Sequence, residues 1–125
     1  MNDTKKTIDG KLAVLDPVPM EEAFGEIDEM AIETYDLFIR STEPLLAEIG
    51  SQLAAGDTKA AVETAHSAKG AARMTGAFRL AAVCGHIESE CKNGNAAEAL
   101  DWLALVPEAF DEVKRAIEEV RGSYA

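Results

Sequence analysis

No apolar run in this 125-residue chain approaches 18 residues, so no segment reads as a transmembrane helix. The opening stretch, MNDTKKTIDGKL, lacks the apolar core of a secretory leader, and a cytoplasmic protein is the expectation. Aromatic residues make up only 6%, while alanine supplies much of the 47% hydrophobic content; that mix favours closely packed helices over a β-sandwich or barrel. Bases are outnumbered by acids, 12 to 23, and the formal net charge of −11 argues against nucleic acid or an anionic membrane as partner. The phosphate-binding loop, the dinucleotide fingerprint, the HExxH zinc motif and the nucleophile elbow are all missing. There are two cysteines, Cys84 and Cys91, seven positions apart on one helical stretch. A separation of about 10 Å along the axis puts them beyond disulfide reach, so they read as reduced core thiols. A metal site built from Cys84, His86, Glu88 and Cys91 is not expected, because His86 points away from the other three around the helix.

What is there is helical and belongs to one domain. Residues 1–18 form a polar arm with one apolar run, Leu12 to Leu15, before a break at Pro17 and Pro19. The arm is expected to be loose, its apolar part resting on the body. Residues 19–125 form the domain itself, starting with a short helix near Met20. Ile27, Ala31, Phe38, Leu45, Ile49 and Leu53 then recur at helical intervals, predicting a long amphipathic helix kinked at Pro44. Gly56-Asp57 is a stop followed by an N-cap, and the next helix runs to about Thr75, with Gly76 at its end. Leu80, Val83, Cys84, Ile87 and Cys91 stripe another helix that stops at Asn93-Gly94-Asn95. Leu100, Leu103, Phe110, Val113, Ile117 and Val120 stripe the last, with a kink or restart at Pro107. The predicted architecture is all-α: an antiparallel bundle of four long helices plus a short N-terminal helix and the arm.

The stretch from His66, HSAKGAARMTG, carries the chemistry. At about 100° per residue, Lys69 and Gly70 flank His66 and Arg73 lies nearly in line with it two turns on. Ala61, Ala68, Ala72 and Thr75 share the opposite, small and mostly apolar face, so the imidazole should point outward. A mid-helix glycine costs roughly 1 kcal/mol relative to alanine, and Gly70 repays that by clearing space beside the ring. Residues 59–92 hold five bases and three acids, so the rest of the chain carries −13. A cationic island in an acidic protein suits a small anion. Nearby cations favour a neutral, nucleophilic ring near pH 7, able to attack a phosphoryl group and hold it as a phosphoramidate. Lys69 and Arg73 would offset the charge of the product. Glu88, on the next antiparallel helix, is placed to reach the other ring nitrogen, fixing the tautomer.

These residues resemble the signature of the histidine-containing phosphotransfer (HPt) domain family: a histidine at His66, then lysine at the third place (Lys69), glycine at the fourth (Gly70) and glycine at the tenth (Gly76). Cys84, Ile87 and Glu88 stand where the family often has a small or cysteine residue, an apolar residue and a glutamate or glutamine. The likeness covers roughly residues 12–122. It implies that His66 takes phosphate from, and passes it to, aspartates on receiver domains of two-component phosphorelays. It further implies that Lys69 supports the phosphoryl group, that Gly70 and Gly76 give access, and that Glu88 orients the ring. No cofactor of its own is implied; magnesium belongs to the partner receiver. Ala68, Arg73 and Met74-Thr75 depart from the usual pattern, with Arg73 the one able to alter partner choice.

The resemblance also implies that exposed residues of the second and third helices, with the start of the fourth, form the receiver-docking surface. Val62 and Phe78 are its expected apolar centre, with Arg79 and Lys92 flanking the docked phosphoryl group and Arg73 a further binding residue in line with His66. Expected partners are response-regulator receivers and a hybrid or receiver-bearing histidine kinase, met by a free-standing monomer acting as a phosphocarrier, not an enzyme. The alternative is an adaptor of the same shape that binds a receiver or kinase without phosphotransfer, in which His66 is an ordinary surface residue. A substrate domain of a chemotaxis-type kinase would require further segments beyond those present.

Overall fold

The computed structural model describes residues 6–124; residues 1–5 of the expected arm, and residue 125 of the expected domain, lie outside the described residues. Six helices follow in order: α1 Val18–Phe24, α2 Glu29–Ala54, α3 Thr58–Thr75, α4 Phe78–Lys92, α5 Ala96–Leu103 and α6 Val106–Tyr124. No strand occurs among the described residues. The long helices α2, α3, α4 and α6 make the bundle, and short connections force sequential neighbours to run antiparallel.

Local chemistry sets the boundaries. The Asp28 side chain caps α2 by accepting from the Ala31 amide at 3.1 Å, and Asp57 does the same for α3 through Ala60 at 3.1 Å. Helix α2 continues unbroken through Pro44, whose ring sits on the exposed side. Helix α3 buries only small residues, among them Ala61, Ala65, Ala68 and Ala72, so α2 and α4 pack close on either side of it. Larger side chains of the neighbours fill the core: Tyr35 and Ile49 from α2, Leu80, Val83 and Ile87 from α4, Val113 and Ile117 from α6. Arg121 of α6 pairs with both carboxylate oxygens of Asp36 on α2.

The last predicted helix needs correction. The chain breaks at residues 104–105, ahead of Pro107, and Pro107 is the second residue of α6, where a missing N–H leaves nothing unpaired. Leu100 consequently faces solvent, off the stripe to which its spacing assigned it.

The segment before α1 is less loose than expected. Ile8, Val14 and Leu15 pack against the core. Arg79 reaches back to it three times: its backbone N–H donates to the Ala13 carbonyl at 3.1 Å, its Nε to Leu12 at 2.7 Å, and a terminal nitrogen to Gly10 at 3.2 Å. The Asp16 amide donates to the Gly76 carbonyl at 2.8 Å. Farther out, Lys6 pairs with Glu98 of α5 and lies over the Trp102 ring.

Candidate functional site

His66 stands in the middle of α3, its side chain 67% exposed. Glu88 faces it from α4 and is almost fully buried, at 7%. The ring Nδ1 lies 2.9 Å from Glu88 Oε2. Burial alone would raise the Glu88 carboxyl, but hydrogen bonds from Lys69, His66 and Lys92 outweigh it and hold the group at about 2. It is therefore a carboxylate, able only to accept, so Nδ1 donates. In a neutral ring the lone pair must then sit on Nε2, the nitrogen turned to solvent.

The cations are arranged differently from the expected halo around the ring. Lys69 Nζ sits 2.7 Å from Glu88 Oε1, and Lys92 Nζ lies 3.3 Å from Oε2. Both lysines thus converge on the carboxylate that holds the imidazole. For Lys92 this corrects the expectation that it flanks the phosphoryl position directly: being one turn from Glu88 on α4, it pairs within its own helix. The charged group touching the ring is a carboxylate, and the lysines neutralise that carboxylate.

Two other expected residues are also reassigned. Arg79 does not flank the imidazole; its guanidinium is spent on the Leu12 and Gly10 carbonyls, with Glu112 at 3.7 Å. Gly76 gives no access to the ring. It ends α3 with φ 95°, and a Cβ there would collide with the Asp16 carbonyl, so the approach it permits is that of the chain's own N-terminal segment. Val62, expected at the apolar centre of the docking surface, is half-buried and rests partly against the core.

Gly70 and Arg73 are where the helical wheel puts them. A Cβ on Gly70 meets nothing within 4 Å, so the space beside His66 is open. Gly70→Ala should therefore raise stability by up to ~1 kcal/mol, through helix propensity alone. Gly70→Leu should fold as well yet slow phosphotransfer with a docked partner; thermal melts and transfer rates on the same pair separate the two effects. Arg73 is exposed and makes no ion pair among the described residues. With Leu12, Lys69, Phe78, Gly85 and His86 it lines a groove between α3, α4 and the N-terminal segment.

Two features of this groove escaped the sequence reading. A Cβ at Gly85 would stand 3.3 Å from Lys69 Cδ, so the bare backbone of α4 leaves a channel for the lysine stem on its way to Glu88, one turn on. A second unexplained mid-helix glycine was the available signal. His86 stacks flat on Trp102 of α5, centroids 3.9 Å apart and planes 7° from parallel. Cys84 is buried, its thiol pushed up to about 12 by burial, and no group of three His, Cys, Asp or Glu side chains converges among the described residues. No helix of the described residues is long and apolar enough to cross a membrane.

In this helical bundle an exposed imidazole is thus steadied from behind by a buried carboxylate. The chain belongs to the Hpt domain family, whose family model matches residues 33–122. Among curated proteins it is similar to the phosphorelay intermediate protein rdeA of Dictyostelium discoideum, at 34% identity over 92 residues. That match spans 74% of this chain but 34% of rdeA, so the chain corresponds to about a third of that relative. Among solved structures it resembles histidine-containing phosphotransfer protein B (HptB) from Pseudomonas aeruginosa PAO1, with a TM-score of 0.79 and 26% identity, covering 90% of this chain and 97% of the other.

Proposed function

We propose that the chain is a phosphorelay intermediate that carries a phosphoryl group on His66 Nε2, accepting it from a receiver-domain aspartate and passing it to another receiver. The observation that carries this reading is the 2.9 Å contact between His66 Nδ1 and the buried Glu88 carboxylate, which leaves Nε2 as the exposed nucleophile. In the forward step the Nε2 lone pair attacks phosphorus and the P–O bond to the aspartyl oxygen breaks. The electron pair leaves on the aspartate carboxylate as the N–P bond forms. The ring keeps its Nδ1 proton and becomes cationic, and its hydrogen bond to Glu88 becomes charge-assisted. The hydrogen bond therefore strengthens along the reaction coordinate, as a stabilising contact must. Reversal onto a second aspartate completes the relay.

Lys69 is the cation nearest to hand for the phosphoryl oxygens, one turn from His66 on the same helix, and Gly70 keeps the approach open. Any magnesium the aspartyl phosphate requires would be the receiver's. Receiver and kinase domains would dock over exposed parts of α2, α3 and the start of α4, around Val62, Arg73 and Phe78. Met74, 80% exposed, and Leu37, 55% exposed, add large apolar side chains on α3 and α2 that have no core to enter.

Incubation with a phosphorylated receiver should place acid-labile phosphate on His66, and His66→Gln should abolish it while circular dichroism stays unchanged. Undiminished labelling of the variant would sink this reading. Regulatory output that survives His66→Gln would instead favour an adaptor.

A further inference from the structure

Glu88 has two cations where one would neutralise it. Lys69 comes from α3, the helix of His66; Lys92 comes from α4, the helix of Glu88 itself. Each approaches a different oxygen. Lys69 takes Oε1, while Lys92 shares Oε2 with the imidazole Nδ1. Accepting a phosphoryl group brings about two negative charges to Nε2. Lys69 cannot answer that charge while its ammonium is held 2.7 Å from Glu88, and removing it would leave a buried carboxylate short of a counter-ion. The cost falls if a second cation remains in place. Lys92 is suited to remain, since Glu88 precedes it by four residues on one helix, the favourable order for such a pair. Lys69 is suited to turn, because its stem crosses the bare backbone of Gly85 with no side chain there to hold it, and its helix is the one that carries the phosphoryl group.

Resting on the reading of His66 as the phosphoryl acceptor, we propose that Lys92 is a positioning residue that acts through Glu88: it is the standing counter-ion that frees Lys69 to turn from the carboxylate to the phosphoryl oxygens. Lys92 contacts neither the ring nor the phosphoryl group in this account. Without it, Lys69 stays on Glu88 and the phosphorylated state loses its nearest cation.

Potassium phosphoramidate, a small phosphoryl donor that needs no docking surface, tests this on the whole chain, with phosphate on His66 separated from phosphate on His86 by peptide mapping. Lys92→Ala should lose the phosphoryl group from His66 about fivefold faster than the parent at neutral pH, and Lys92→Arg should restore the parent rate. In a Glu88→Gln background, where no carboxylate needs a counter-ion, Lys92→Ala should change nothing. Equal losses in both backgrounds, no loss in either, or no rescue by arginine would overturn the proposal while leaving labelled His66, and hence the carrier reading, intact. An unlabelled parent His66 would overturn both.

Discussion

Gly76→Ala should destabilise the protein by about 2–4 kcal/mol, more than any other single-methyl change at its glycines. Two costs add. The backbone at Gly76 has φ 95°, where an L-residue loses roughly 1–2 kcal/mol. The added Cβ would also run into the Asp16 backbone carbonyl, which cannot swing aside as a flexible side chain would. The N-terminal segment must then lift, giving up the hydrogen bond from the Asp16 amide to the Gly76 carbonyl, worth about 1 kcal/mol. Gly56→Ala is the control: φ is 76° there, but a Cβ meets nothing within 4 Å, so only the conformational cost applies. Urea unfolding of the two variants measures the difference. Equal midpoints would mean that the segment before α1 is not seated against the end of α3.

Glu88→Ala should slow transfer to and from His66 by about tenfold to a hundredfold, the worth of a charge-assisted hydrogen bond that orients the ring. Glu88→Gln should cost less, since the amide oxygen still accepts from Nδ1. The pair also has a pH signature. The Glu88 carboxyl is held at about 2 in the fold, against an ordinary value of 4.5. A carboxyl depressed by folding adds stability that is fully present above its unfolded value and lost as pH falls through the folded one. Wild-type stability should therefore decline between about pH 4.5 and pH 2 by more than that of Glu88→Gln. Unfolding midpoints measured across that window check the sign, and parallel curves for the two proteins would exclude the buried ion cluster.

The part of this site that repeats every turn of helix was legible in the sequence. Periodicity placed His66 opposite Ala61, Ala68 and Ala72, and the Gly56-Asp57 and Asn93-Gly94-Asn95 breaks bounded α3 and α4 well enough to bring Glu88 to the ring. Destinations of long side chains were not legible. Lys69, Arg79 and Lys92 each carry a flexible stem and a mobile charge, and helical spacing fixes only where the stem begins. Which acceptor each charge finds depends on Glu88 being buried, and on backbone carbonyls of a segment without periodicity, at Gly10 and Leu12. At Gly76 the chain that needs the clearance lies 60 residues away, at Asp16, beyond the reach of helical spacing. The break between α5 and α6 was displaced because apolar spacing continues across residues 104–105 while the backbone does not.

The seat of the N-terminal segment carries a consequence for synthesis. Residues 6–16 leave the ribosome before any helix of the bundle, yet their partners at Gly76 and Arg79 are made some sixty residues later, at the junction of α3 and α4. The earliest of the described residues to be translated must therefore wait, unpaired, for a corner that exists only once the middle of the chain has folded. Its docking is a late event that reports completion of the α3–α4 hairpin, the same hairpin that brings Glu88 to His66.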